Sequence, residues 1–417
     1  MAGQTAPLVS LTVDGKGSYG IGASAVPFSK DLYTYLRITD IKDDGTLNMQ
    51  DLKSVEDVKA KEYLLKPNDI VFARTGASTG RNYFYDGTDG VFVYAGFLIK
   101  FSIDEEKVNP KYIKYYCQSK QYKDWINSFN TGSTRGNINA QTLGKMPVPL
   151  MERKNQDVLV AVLSSIDEKI KQNNAINNNL EQQAVLLFKE WFTDFECTSG
   201  NVIETKFGKI PNTFKLLKNG ELPVIVTDYV ANGSFASLKA NVTLYQDPNY
   251  AYFIRNTDLK SGTFEVFVDE HSYNFLSKST LYGGEIIISN VGDVGSVFLC
   301  PKLDKPMTLG NNIIMLRPEQ DNLQYYLYIW FKWLYGQSLI QGIKGGSAQP
   351  KFNKTDFKNL PIYLPPDSLL EQFHQTVKPM FELIEKNNAE NLSLTVTRDT
   401  LLPKLMSGEL DVSDIDL

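Results

Sequence analysis

Arginine, asparagine, glutamine, serine and threonine on glycine-rich loops are the side chains that pair with base edges, arginine suiting guanine and asparagine or glutamine suiting adenine. The chain carries two such sets. The first holds Arg74, Thr75, Ser78, Thr79 and Arg81 in one loop, and Ser133, Thr134, Arg135, Asn137 and Asn139 in and just after the loop that starts at Thr131. The second holds Asn290 in the run to Ser296, then Lys344, Ser347, Gln349, Lys351 and Asn353. Interleaved glycines let backbone N–H groups approach phosphates closely. Lys16, Ser18 and Tyr19 on an early polar loop, with Arg37, Thr39, Arg255 and Asn256, complete the candidate DNA-binding residues. Each loop alone reads equally well as a plain turn; their recurrence is what gives them weight.

Other chemistry finds little support. Gly15-Lys-Gly-Ser-Tyr-Gly20 matches a dinucleotide pattern, but that motif needs a helix at its last glycine, and the run to Pro27 supplies none. No phosphate loop is present, since each Gly-Lys pair is followed by Gly, Met or Ile. Asp167-Glu-Lys169 has a nuclease-like spacing yet falls on a long helix, where solvated charge is the simpler reading. His271 and His374 stand alone, and Cys117, Cys197 and Cys300 are too scattered for a disulfide framework or a zinc site. We expect no catalytic residues, no metal and no cofactor in this chain.

The elements that must position these loops occur twice. Tyr35-Leu-Arg37-Ile-Thr-Asp40 returns as Phe253-Ile-Arg255-Asn-Thr-Asp258, Arg74-Thr-Gly76 as Asn290-Val-Gly292, and Asn173-Asn-Ala175 as Asn387-Asn-Ala389, each about 215 residues downstream. Each copy predicts an α+β domain of short strands, including Leu8–Val13, with one aromatic helix, Pro110 to Phe129 or Leu323 to Tyr335. A Pro-containing strand and a long polar helix follow. The expected layout is a recognition domain at 1–150, a spacer helix at 151–197, a second recognition domain at 198–366, a second helix at 367–410 and a tail at 411–417.

Both helices show heptad seams with asparagines at matched central positions, Asn173 and Asn177 in the first, Asn387 and Asn391 in the second. Antiparallel pairing would bring these midpoints together, setting the helix register, and would give the halves pseudo-two-fold symmetry. From Gln156 to Trp191 the first helix would run roughly 54 Å at about 1.5 Å per residue, a spacer and not a core element. Ser368 begins a capping box for the second, Gly408 can close it, and Pro403 should kink its last turn. Two readers on such a rod would contact two short sequences flanking unread base pairs.

The 417 residues carry a net charge of −5, with 22% charged and 42% hydrophobic residues, as folded soluble proteins do. A chain that coats nucleic acid indiscriminately is usually strongly basic, so any DNA surface here is local or shared with a partner. The start lacks the blocks of a signal peptide, and no apolar run long enough to span a membrane occurs, so a reducing, cytoplasmic setting is expected.

The order of these segments, with Lys66-Pro-Asn-Asp-Ile-Val-Phe-Ala-Arg-Thr-Gly76, Phe188-Lys-Glu-Trp-Phe192 and Leu402-Pro-Lys-Leu-Met-Ser-Gly-Glu-Leu410, resembles the specificity (S) subunits of type I restriction–modification enzymes over nearly the whole chain. That resemblance implies two target-recognition domains, each reading half of an asymmetric split site in double-stranded DNA. It also implies two long helices docking two methylation (M) subunits, with restriction (R) subunits added; S-adenosylmethionine, ATP and Mg would belong to those partners. Asn290 in place of Arg74, and Gln349-Pro-Lys351 in place of Arg135-Gly-Asn137, imply different contacts in the two halves. The competing expectation is a coiled-coil adaptor with two protein-binding heads and no DNA role; a DNA-modifying enzyme in its own right lacks the motifs.

Overall fold

The computed structural model of the protein describes residues 5–49, 51–129, 137–196, 201–346 and 349–410. It divides into two compact units, Met1–Lys171 with Ser393–Leu417, and Gln172–Leu392. Ser133, Thr134, Arg135 and Ser347 lie outside the described residues.

In the first unit the strand Asp69–Ala73 lies between Asn82–Tyr85 and Leu98–Ser102, with Ser18–Tyr19 beyond the latter, all antiparallel. Strand side chains alternate between faces. Accordingly Ile70 and Phe72 enter one core with Tyr112, Tyr115 and Tyr116, while Val71 and Ala73 enter another with Tyr83 and Tyr94. A second sheet runs Ala25–Pro27, Lys53–Val55, Tyr33–Leu36, Phe92–Tyr94 and ends in a parallel pair.

The second unit repeats this order. Ile286–Ser289 lies between Val297–Leu299 and Ile313–Pro318, with Val224–Asp228 beyond. Its other sheet also holds a parallel pair, Ala251–Ile254 with Met307–Leu309, among five strands where the first unit has four. A buried carboxylate recurs too: Asp69 binds Lys100 at 3.2 Å, and Glu285 binds Arg317 at 3.0 Å.

Several local expectations are revised. Leu8–Leu11 forms a 3-10 turn instead of a strand, because the i, i+3 spacing of Leu8 and Leu11 puts both into the core. The stretch before it packs, with Thr5–Pro7 pairing antiparallel to Pro147–Pro149 as Lys215–Lys218 does to Pro361–Leu364. Both aromatic helices break in two. Ser119 stops the first run and caps the next, accepting from the Tyr122 N–H, to give Pro110–Tyr116 and Lys120–Asn127. In the second unit extended backbone at Trp333 separates Gln324–Lys332 from Leu334–Gly342.

The long helices span Arg153–Phe192 and Asp367–Ser407, the latter continuous through Pro403. Their ends are core elements as well as spacers. In the first unit Leu159 and Leu163 share a core with Leu402, Leu405 and Met406. In the second, Phe188 and Phe192 pack on Phe373 and Tyr326, each buried phenylalanine contributing about 1.5–3 kcal/mol. Rising numbers on one helix meet falling numbers on the other, so the pairing is antiparallel: Phe192 meets Phe373, Asn177 meets Asn387 and Asn388, and Asn173 meets Asn391.

That asparagine layer is joined by side-chain hydrogen bonds, with Asn173 Oδ1 buried and unpartnered among the described residues. Asn177 donates to Asn388 at 2.9 Å and accepts from Asn387 at 2.8 Å. Asn173 donates to Asn391 and Glu390, and Asn391 to Asn174.

The first long helix also clamps each aromatic helix with a carboxylate. Asp167, expected as solvated charge, instead accepts from Lys114 Nζ at 2.7 Å, Tyr115 OH at 2.9 Å and Arg398 Nη1 at 3.2 Å. Burial alone would raise its carboxyl, but Lys114, Arg398 and the tyrosine hydroxyl bring it below the usual carboxylate range. In the second unit Glu181 accepts from Tyr328 OH and Lys332 Nζ, both at 2.6 Å.

Candidate nucleic-acid interface

Four chain segments converge at one junction in the first unit. The hairpin loop after Ala73 is closed by Ala73 N–H to Arg81 O at 2.8 Å and Gly80 N–H to Ala73 O at 2.9 Å. Gly80 has φ +90°, and a Cβ there would lie 2.4 Å from Ile126 Cγ2, so the turn requires glycine. The segment around Asn137 runs antiparallel to the loop, with a bridge from Thr75 to Asn137 and Ile138 N–H donating to Arg74 O at 2.9 Å. Arg74 N–H donates to Phe97 O at 3.0 Å. Asn139 then caps the helix Ala140–Gly144, and Ala140 N–H donates to the Tyr19 hydroxyl at 3.1 Å. Tyr19, Arg74, Thr75, Asn137 and Asn139 are thereby gathered in one place.

The second unit follows the same path. Asn290 N–H donates to Asn312 O at 3.1 Å, Phe352 N–H donates to Asn290 O at 3.0 Å, and Val291 bridges Lys351. Asn353 caps Lys354–Asn359 as Asn139 caps its helix, and Lys354 Nζ donates to Asp228 at 3.0 Å where Ala140 meets Tyr19. Phe97, Ala140, Asp228, Asn312 and Lys354 are junction residues that the sequence reading passed over.

The side chains at the two junctions differ. Arg74 lies over the rings of Tyr19, at 5.2 Å, and Phe97, at 6.0 Å, and its Nε is buried without a partner among the described residues. Asn290 has a buried, unpartnered Oδ1, and its Nδ2 makes a 3.4 Å contact with Phe352 O.

Other candidates are engaged within the fold. Arg37 binds Asp40 through Nε at 3.0 Å and Nη2 at 2.6 Å, and Arg255 binds Asp258 at the same two distances. Donating to its aspartate holds each guanidinium above the ordinary arginine value. Arg81 forks onto Asp43 at 2.6 and 3.0 Å, while the second loop, shorter by a residue, has Ser296 on Asp293 instead. Thr79 Oγ1 donates to Gly76 O, and Asn256 Nδ2 contacts Asp293 at 3.4 Å. Ser78 is half-buried, as is Ser18, which sits on its strand beside Tyr19, and Thr39 is exposed. Lys16, Lys344, Gln349 and Lys351 are exposed.

Among the described residues no group of three or more His, Cys, Asp or Glu is placed to hold a metal ion. Cys117 and Cys300 are buried free thiols that burial pushes up. No described helix is long and apolar enough to cross a membrane.

The family model described as the type I restriction modification DNA specificity domain matches residues 30–182 and again 196–394. The chain is 26% identical over 320 residues to the type I restriction enzyme MjaIX specificity subunit of Methanocaldococcus jannaschii, covering 75% of this chain and 72% of that one. It is 22% identical over 448 residues to the HindI specificity subunit of Haemophilus influenzae, covering 91% and 96%. In fold it resembles the type I restriction–modification S subunit from M. genitalium, with a TM-score of 0.52 at 17% identity over 96% of this chain and 95% of that one. An adaptor without a DNA role is not favoured beside such relatives. With one family model matched in each half, the chain belongs to the type I restriction–modification DNA specificity family.

Proposed function

We propose that this chain is the sequence-reading subunit of a type I restriction–modification complex, with each unit reading one half of a bipartite, asymmetric site in double-stranded DNA. The observation that carries this reading is the pair of junctions. One backbone path, fixed by the same main-chain bonds, presents Tyr19, Arg74 and Phe97 in one unit and Asp228, Asn290 and Asn312 in the other. A scaffold repeated with different side chains at its tip suits two readers of different sequences.

On this reading the long helices carry two methylation subunits, and restriction subunits join that assembly. Methyl transfer to adenine, with S-adenosylmethionine, and ATP- and Mg-dependent cleavage belong to those partners. This chain supplies position: it holds the recognised bases in register while partners close round the duplex and make up for its modest negative charge. Copurification from the native host, followed by sequencing of methylated sites with and without the gene, tests the proposal. A split adenine-methylated motif that disappears with the gene is expected. The purified chain alone should neither methylate, cleave nor hydrolyse ATP; activity that survives removal of all partners would overturn the non-catalytic assignment.

A further inference from the structure

Of the described arginines, Arg37, Arg81, Arg153, Arg255, Arg317 and Arg398 each bind a carboxylate. Arg74 binds none among the described residues, and its Nε–H is buried without an acceptor. It is nevertheless held in place. Its main chain is tied on both sides, to Phe97 O and by Ile138 N–H, and its guanidinium lies over the Tyr19 and Phe97 rings. Those rings are themselves 44% and 57% exposed, so this cation sits at a surface and not in a core.

We propose that Arg74 is a specificity-determining residue that reads a guanine in the half-site of the first unit, an inference that rests on the DNA-reading function above. Rings against the guanidinium face leave its edge to find a partner, and the rigid fork of N–H donors at that edge matches the coplanar O6 and N7 acceptors of guanine. A phosphate would also accept these donors, but the second unit argues against it. Phosphate contacts are independent of sequence and serve both halves alike. Yet the equivalent position carries the neutral Asn290, Lys354 at that junction is already bound to Asp228, and the exposed Lys351 lies opposite Val291, not at that position. A position that changes from cation to amide while its backbone bonds stay the same is reading what differs between the half-sites.

The test uses the full chain in the complex that copurifies with it. Wild type, Arg74→Ala and Arg74→Lys are each selected against a library of randomised duplexes, with melting temperatures recorded. Wild type should enrich a bipartite motif. Both variants should lose preference at one guanine in one half, by about 5- to 150-fold, while every other position and the whole of the other half stay as they were. The retained half-site serves as the control for folding.

The proposal is overturned if Arg74→Ala enriches the unchanged motif while binding all sequences more weakly, with a salt slope shallower by about one and full rescue by lysine, which is phosphate holding. It is also overturned if both variants match wild type throughout. Failure of wild type to enrich any motif would instead sink the DNA-reading function itself, and this inference with it.

Discussion

The two units agree where the chain is buried and differ where it is presented. Arg37–Asp40 and Arg255–Asp258 are the same staple; Asp69 and Glu285 are the same buried carboxylate, each bound by a cation of the neighbouring strand; Asn139 and Asn353 are the same helix cap. At the junction tips the chemistry changes, from an arginine over two aromatic rings to a cluster of amides and an ion pair. The recurring charges therefore belong to the scaffold, and the side chains that diverge over a common backbone are the ones placed to discriminate. A repeated charged motif is thus a poor guide to the binding residues of such a protein.

The largest expected effect breaks this correspondence deliberately. Exchanging the segment from about Leu11 to Val148 with that of a relative should replace one half of the methylated motif and leave the other half and the spacer intact, as read by sequencing methylated sites. An exchange that alters both halves together would defeat the assignment of one reader to each unit.

Damage to the scaffold should have the opposite signature. Glu285 is buried and accepts from the Tyr282 and Gly283 N–H groups as well as from Arg317. Glu285→Ala takes the buried carboxylate from Arg317 and from those two N–H groups and should cost about 3–5 kcal/mol. Denaturant unfolding should show the loss, while the molecules that remain folded select the wild-type motif. A changed motif would place Glu285 among the readers.

A smaller effect concerns the Asp167 clamp. Asp167→Asn weakens its charge-assisted bonds to Lys114 and Arg398 and should cost roughly 1–3 kcal/mol at neutral pH. Because the folded carboxyl lies below its unfolded value, of about 3.9, its contribution is complete above that pH and is lost as pH falls through the folded value. Melting temperatures of wild type and variant should therefore converge in acid; a constant gap from neutral pH to pH 2 would mean that charge plays no part.

The smallest effect is expected at the asparagine layer. Replacing Asn177 and Asn387 together with leucine removes both partners of a buried bond and should raise stability by about 1 kcal/mol while loosening register. Calorimetry and cysteine crosslinking at neighbouring positions would register the two effects. A loss of stability would show that the amides contribute more than their burial costs.

The repeat, the long helices and the glycine loops were legible in the sequence because each is written in local spacing. What escaped was set by tertiary partners. The tyrosines from Tyr112 to Tyr122 keep helical spacing across a break that Ser119 makes by capping the next turn. Asp167 read as solvated because its partners Lys114 and Arg398 lie 53 and 231 residues away. Phe97 reads as the first residue of a strand-like run to Phe101, and only its carbonyl, which accepts from Arg74, reveals its place at the junction.

The closure of the first unit's core by Leu402, Leu405 and Met406 bears on how the chain is made. The second unit is one uninterrupted stretch, Gln172–Leu392, whereas the first waits for residues beyond Ser393. During synthesis the unit encoded later can therefore finish folding before the one encoded earlier. Until the ribosome has delivered Leu402 to Met406, the apolar faces of Leu159 and Leu163 stay open to chaperones and to aggregation. A stop codon just before Leu402 would leave every residue of the first unit's sheets intact and still deprive that unit of a finished core.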